Sequence, residues 1–432
     1  MTAQEDRELD EALALASTGS TTAATPGTAT ARGAMRWAEA RNVASRAGRS
    51  APGRTLRMVL GEALGHVLAE PLTALTDLPS FDTSAMDGWA VAGPGPWGLR
   101  DGGGILAGRS VSGVLADGEA VRIATGARVP PGVTAVLRTE HARTDEAKGR
   151  LRALRSVVPG QDIRPRGQEC RSGDQLLPAG ALVTPAVLGL AAAAGYDELL
   201  VVPRPRVEIL VLGDELLAEG LPHDGMVRDA LGPMAGPWLR ALGAEVLATR
   251  RLVDDADALF DAVTTSEADL VVTTGGTAAG PVDHVHPVLS KAGAELLVDG
   301  VAVRPGHPML LARLASGRHL VGLPGNPLAA VSGLLTLVEP LLSTLAGRAP
   351  VDPSITPVRE RVPGHPHDTR LVPVAYRADG AVPLRYQGPA MLRGIAAADG
   401  LAVIPFGGAE PGDELGILDL PWGRPSSEGC FT

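Results

Sequence analysis

Apolar residues recur in blocks whose period changes along the chain. Over residues 55–70 the positions Leu56, Val59, Leu60, Leu64, Val67 and Leu68 fall at helical spacing, and Pro71 ends the helix this predicts. Between 78 and 140 the texture shifts to short β-like runs, 120–123 and 134–137, set between Gly/Pro clusters. That pattern reads as a small β-rich module. The charged stretch 141–152 reads as a hairpin tip or loop. Thr184-Pro185 pairs a capping hydroxyl with a proline at the first helical position, and Gly195 supplies the stop. A strand at 199–202 and a linker, Pro203-Arg204-Pro205, follow.

From Val207 the pattern alternates. Strands are predicted at 207–212, 244–250, 269–273 and around Leu320-Val321. Helices are predicted at 236–242, with Pro237 in the first turn, at 256–268 and at 328–345. Strand–helix alternation of this length argues for a parallel, doubly wound sheet. After Ala349 the runs 370–376, 381–386, 401–405 and 414–418, with turns between them, predict a small all-β domain. The expected fold is therefore multidomain α/β. It has a disordered extension (1–32), a helical linker domain (33–77 and 157–203) and a β-rich domain (78–156). A doubly wound domain (204–348) and a C-terminal barrel-like β domain (349–432) follow. The longest apolar stretch, Leu328 to Leu342, is interrupted by Glu339 and Pro340, so no membrane span is expected.

Composition narrows the function. Lys+Arg is 39 and Asp+Glu 49, a formal net charge of −10, with no basic block to suit nucleic acid or an anionic membrane. The N-terminus is acidic and lacks the apolar core of a secretory signal. Two cysteines, Cys170 and Cys430, share no metal-ligand spacing, which fits a reducing, cytoplasmic setting.

The candidate chemistry lies in three Gly-rich loops that follow predicted strands: Gly213-Asp214-Glu215, Gly275-Gly276-Thr277 running on to Asp283, and Gly322-Leu323-Pro324-Gly325-Asn326-Pro327. Open α/β sheets bind ligands at the carboxyl ends of their strands. Glycine backbone there can approach an anion, and helix N-termini add favourable partial charge. Carboxylates beside such backbone need a hard cation between them and a phosphate, which makes Mg²⁺ the natural candidate. Arg304-Pro305-Gly306-His307-Pro308 could add positive charge. Asp87-Gly88 and Thr125-Gly126, taken alone, read as a turn and a strand end.

The segments LPSFDTSAMDGWAV, RIATGARVPPGVTAVLRTE, RPRVEILVLGDEL, TTGGTAAGPVD, RPGHP and GLPGNP occur in an order and spacing that resembles the molybdopterin molybdenumtransferase family, to which the gephyrin E domain also belongs. The resemblance covers about residues 33–420. It implies an elongated four-domain protomer that forms a homodimer with a shared active site. It also implies a Mg²⁺-dependent enzyme that inserts molybdenum from molybdate into adenylylated molybdopterin and releases AMP. Transient contact with the pterin-adenylylating enzyme and with apo-molybdoenzymes would follow. Carried over by position, the catalytic residues are Asp87, Glu215, Asp254 and Asp283, of which Asp87, Glu215 and Asp283 would hold the metal. Substrate would be bound by Thr125, Glu169, Gly275, Gly276, Thr277, Gly280, Arg304, His307, Pro324 and Pro327. Asp87 and Thr125 would come from the partner subunit.

Several motif positions depart from the family pattern. Ala278 stands for a serine, Arg304 and His307 for two lysines, Ala230-Leu231 for Ser/Thr-Asn, and Gln168-Glu169 for Glu-Asp. These changes keep open a diverged, non-catalytic pterin-binding carrier or a scaffold on the same fold. Trp89 and Cys170 read as packing residues. His284 and His286 read as surface histidines, because residues i and i+2 on a helix do not face each other.

Overall fold

The computed structural model describes residues 33–51, 53–100, 103–108, 113–277 and 283–422. The extension expected at 1–32 lies outside them, as do Ala278 and Gly280.

The doubly wound domain is built on six strands: β1 (Arg206–Leu212), β2 (Glu245–Leu252), β3 (Leu270–Thr274), β4 (Glu295–Asp299), β5 (Leu310–Arg313) and β6 (His319–Leu323). Their order across the sheet is β2-β1-β3-β6-β5-β4. Neighbours among β2, β1, β3 and β6 are parallel. Strand β5 runs antiparallel to both β6 and β4, which corrects the all-parallel expectation. Strands β4 and β5 were not predicted. Each is four or five residues long and lies at or next to the sheet's edge, and together they break the strand–helix alternation on which the prediction rests.

The helices of this domain are α1 (Trp37–Ser50), α2 (Leu231–Ala241), α3 (Ala256–Thr265), α4 (Val285–Lys291) and α5 (Pro327–Leu345). Helix α2 starts five residues earlier than predicted, because the Asp229 carboxylate accepts the Gly232 N–H at 2.9 Å and caps that turn. Pro237 is therefore inside the helix. Helix α5 runs through Glu339 and Pro340 without stopping. A wide π-helical segment, Leu334–Val338, precedes them and absorbs the proline, which has no N–H to place in the ladder. By length and composition α5 could cross a membrane, but 89% of its apolar window is buried inside the protein, as in a core helix.

Helix α1, assigned by sequence to the linker domain, packs instead against α5. Ala40, Ala44 and Ala47 share one buried cluster with Leu341 and Leu342. The helices approach so closely that a side chain on Gly48 would strike Thr344 and the Leu341 carbonyl. Apart from Arg41, the buried face of α1 is made of Ala, Ser and Gly, so no large apolar residue marks it in the sequence.

The helix predicted over 55–70 does not form. Residues Leu56–Val59 and Val67–Leu68 are strands that pair with Glu198–Val202, and turns join them. The apolar spacing that mimicked a helix belongs to two short strands with a turn between them. The helix at Pro185–Ala193 forms as predicted, with the Thr184 hydroxyl accepting the Val187 N–H at 3.3 Å.

The β-rich module carries a six-stranded sheet through Gly88–Val91, Glu119–Ile123 and Ala135–Arg138, with the charged stretch forming the hairpin Ala142–Asp145/Arg150–Ala153. In the C-terminal domain the strands follow the order Ser354–Pro357, Glu414–Asp419, Gly400–Ile404, Thr369–Arg377, Gly380–Pro383, each pairing antiparallel with the next. A bridge from Val358 to Ala381 closes the ring around a Val/Ile/Leu core. Strand Val301–Arg304 of the preceding domain adds to this sheet through Val303–Thr369 and Arg304–Arg370 pairing.

Candidate functional site

Register brings the predicted loops side by side. Val211, Thr274 and Leu323 occupy one row across β1, β3 and β6, so the loops starting at 213, 275 and 324 leave the sheet from adjacent positions at its carboxyl edge. The Gly275 N–H donates to the Leu323 carbonyl at 2.9 Å and ties two of those loops together. Gly275 and Gly276 both have left-handed backbone, with φ of 86° and 66°. Only glycine accepts that conformation twice in succession without strain. Thr277 is buried with its methyl group against Gly322, so this predicted ligand-binding residue is also part of the packing beneath the loop.

The Glu215 carboxylate folds back over Gly213, whose lack of a side chain leaves room for it. Asp254 is held in a reciprocal pair. Its Oδ2 accepts the Asp214 N–H at 3.3 Å, and Asp214 Oδ1 accepts the Asp254 N–H at 3.2 Å. Asp254 thus fixes the loop that carries Glu215, a role that also gives Asp214 a place in the site.

Asp283 lies at the start of α4, its side chain only 9% exposed. Oδ1 accepts the Val285 N–H at 3.0 Å, and Oδ2 lies 2.9 Å from His286 Nδ1. The second ring nitrogen, Nε2, lies 2.9 Å from Asp299 Oδ1 at the end of β4. His286 is therefore not a free surface histidine. The relevant step is i to i+3 from Asp283, which does face across one helical turn. Burial disfavours its charged form, but the bonds to Asp299 and Asp283 outweigh this and raise its pKa above the usual histidine value.

The N-terminus of α5 differs from the sequence expectation. Its first residue, Pro327, has no N–H, and the next two, Leu328 and Ala329, donate to the Pro389 carbonyl of the C-terminal domain at 2.8 and 3.3 Å. That helix end is thus already occupied; the Asn326 carbonyl accepts the Ala330 N–H at 2.8 Å, which leaves the N–H groups of Gly325 and Asn326 as this loop's donors toward a ligand. Pro324 is buried beside it.

Arg304 and His307 are both engaged. Arg304 Nε donates to Asp368 Oδ2 at 2.8 Å, with the arginine side chain still 52% exposed. His307 turns back on its own hairpin, with Nδ1 2.9 Å from the Val301 carbonyl. That bond fixes Nδ1 as the protonated nitrogen of the neutral ring, so the neutral ring offers no second N–H to an anion.

Asp87 and Thr125 meet inside the β-rich module. A bend at 85–87 runs directly into strand Gly88–Val91, and Asp87 Oδ1 accepts the Thr125 N–H at 2.7 Å. That backbone bond, then the Thr125 side chain, hold the Asp87 carboxyl below its usual pKa. Glu169 is exposed on a loop laced to 78–79, with its N–H bonded to the Leu78 carbonyl at 2.9 Å. Trp89 and Cys170 are buried, as expected. A cavity of about 790 Å³ in the β-rich module, lined by Gly95, Trp97, Arg152 and Pro159, contains none of these residues.

The structure thus brings Glu215, Asp254, Asp283, Gly275, Gly276, Thr277, Pro324 and Pro327 to one sheet edge. It unites Asp87 with Thr125 on a separate module. Among the described residues, no three His, Cys, Asp or Glu side chains form a ready-made metal cluster.

Known proteins decide the family. Residues 35–195 match the MoeA N-terminal region (domain I and II), 208–344 the probable molybdopterin binding domain, and 356–420 the MoeA C-terminal region (domain IV). The chain is 34% identical over 392 residues to molybdopterin molybdenumtransferase 2 of Mycobacterium tuberculosis, covering 85% of this chain and 95% of that one. The chain belongs to the molybdopterin molybdenumtransferase family. Molybdopterin molybdenumtransferase of Staphylococcus aureus is 33% identical over 311 residues, 69% of this chain and 74% of that protein. The crystal structure of a molybdopterin biosynthesis MoeA protein from Pyrococcus horikoshii superimposes with a TM-score of 0.74 at 25% identity, covering 90% of this chain and 99% of that one. Membership extends across every domain, so the departures at Arg304, His307 and Ala230-Leu231 are variations within a complete family architecture.

Proposed function

We propose that the protein is a molybdopterin molybdenumtransferase of molybdenum cofactor biosynthesis, cleaving adenylylated molybdopterin to AMP and leaving molybdenum on the pterin. The observation that carries this reading is the row of three loops at the carboxyl edge of the sheet, in a chain related to such a transferase over 85% of its length. The carrier and scaffold alternatives find no comparable support, since the acidic residues at that edge are retained.

The donor set suits Mg²⁺. This cation needs only one or two carboxylates plus phosphate oxygens and water, so the lack of a three-residue cluster does not count against it. Glu215 and Asp283, from loops after adjacent strands, would hold it, with Asp87 reaching them from the partner subunit of a homodimer. When bound, the cation neutralises charge developing on the phosphoanhydride. The protein's own contribution is positioning: Gly276 and Gly325 present backbone to the phosphates, Gly275 ties their loops together through Leu323, Asp254 holds the Glu215 loop, and the Thr125 N–H holds the Asp87 carboxylate in place. Thr277 and Pro324 would shape the wall, with Pro327 at the loop's end. Glu169 would stand beside the pterin and Gly280 in the phosphate loop.

The test is AMP release from adenylylated molybdopterin supplied with molybdate and Mg²⁺. Wild-type protein should turn over. Asp283→Asn should lose about 100-fold or more, on the scale of removing one preorganised electrostatic group. Pterin binding without AMP release would instead favour the carrier.

Arg304 would attract molybdate, although Asp368 offsets its charge. Exposed ion pairs of this kind contribute about 0.2–1 kcal/mol, so Asp368→Asn should tighten molybdate binding by up to about fivefold at low salt. Calorimetric titration checks this, and unchanged affinity would remove Arg304 from anion capture. His307, bonded to its own hairpin, would serve chiefly to hold the Arg304 turn in shape.

A further inference from the structure

One imidazole spans two carboxylates that come from separate elements. His286, in the first turn of α4, lies 2.9 Å from Asp283 through Nδ1 and 2.9 Å from Asp299 through Nε2. Asp299 ends strand β4 and pairs with Leu310 of β5, which pairs in turn with Gly322 of β6. The anchor of the histidine is therefore the same sheet whose strand ends carry the candidate site. With both nitrogens engaged, the ring cannot rotate without losing both bonds. Through His286 and the Val285 N–H, both oxygens of Asp283 are held in turn, which fixes its carboxylate plane. Each carboxylate oxygen retains a further lone pair for a ligand. Free of these bonds, the terminal torsion of an aspartate is broad.

We propose that His286, anchored by Asp299, is a positioning residue that aims the Asp283 carboxylate at the cation and phosphate site on the strand edge; this rests on the function proposed above. Hydrogen-bond partners of metal-ligating groups are typically worth about 10–100-fold in metal affinity or activity. A histidine that merely caps α4 would affect stability while leaving metal affinity alone.

The experiment uses the full chain and Mn²⁺ as the probe, with free Mn²⁺ counted by electron paramagnetic resonance in the absence of pterin. It is paired with the Mg²⁺ dependence of AMP release. His286→Ala should bind Mn²⁺ about 10–100-fold more weakly and need correspondingly more Mg²⁺, with a smaller change in kcat at saturation. His286→Asn, whose amide stands where Nδ1 stands, should recover part of the affinity. Asp299→Asn should weaken binding to an intermediate degree. A folded His286→Ala protein that binds Mn²⁺ as wild type does would overturn the proposal. If that variant fails to fold, the partly exposed Asp299→Asn decides it, and wild-type Mn²⁺ affinity there would overturn it equally. Wild-type protein that binds Mn²⁺ but releases no AMP would sink the proposed function, while the positioning role would still be decided by the Mn²⁺ affinities.

Discussion

An Arg41→Met protein is expected to lose about 3–5 kcal/mol of stability at neutral pH, the cost of leaving one partner of a buried ion pair uncompensated. Arg41 on α1 lies 3.2 Å from Glu339 on α5, with side chains 10% and 14% exposed. The same guanidinium also donates to the Leu335 carbonyl, within the π-helical segment, and to the Val351 carbonyl at 3.4 Å. Burial raises the Glu339 pKa, and Arg41 opposes that rise. Removing Arg41 leaves burial and the smaller repulsion from Asp419 unopposed, so the folded-state pKa climbs further above the unfolded value. A carboxyl raised in this way contributes stability that is fully present below the unfolded pKa and is lost as pH rises through the folded one. The loss on substitution should therefore be larger near pH 7.5 than near the ordinary glutamate pKa, about 4.3. Denaturant unfolding of both proteins at the two pH values measures it. Glu339→Gln in the Arg41→Met background should recover stability at the higher pH. Equal losses at both pH values would show that packing, not charge, is responsible.

Mixing two inactive variants should restore activity. Asp87 and Thr125 bond within the β-rich module, whereas Glu215 and Asp283 stand at the edge of the doubly wound sheet. If the site is shared between subunits, Asp87→Ala and Asp283→Ala should each lose about 100-fold or more in AMP release. Heterodimers formed by unfolding and refolding the two together should each contain one intact site. Recovery well above either parent protein is the expected result, with a dimer mass by light scattering. A monomer at micromolar concentration, or a dimer with no recovery, would place all the functional residues within one chain.

Much of the architecture was legible because it follows from local rules. Thr184-Pro185 fixed a helix start, and the repeat of apolar strand and amphipathic helix from Val207 gave the doubly wound domain. The errors have physical causes. Residues 55–70 carry apolar spacing compatible with a helix, but their strand partner, Glu198–Val202, lies about 140 residues away in the chain. Helix α1 buries alanine, serine and glycine together with Arg41 against α5, and none of these is a large apolar residue that would mark a core helix in the sequence. By contrast, the helix predicted over 328–345 does form, and a π-helical segment accommodates Pro340 within it.

The sequence by itself determined which residue types reach the site. Strand ends followed by Gly-rich loops place Glu215, Gly275, Gly276 and Pro324 at the carboxyl edge whatever the details of packing, because parallel strands in register all end on one side. Only the tertiary structure decided what those residues are free to do. Pro389 occupies the first donors of α5, Asp368 takes Arg304, the Val301 carbonyl takes His307, and His286 locks Asp283 to Asp299. The Pro389 and Asp368 pairings join separate domains, and the others depend on how a hairpin, a helix start and a strand end are set against one another. A hydrogen bond depends on distances of about 3 Å that no one-dimensional pattern encodes.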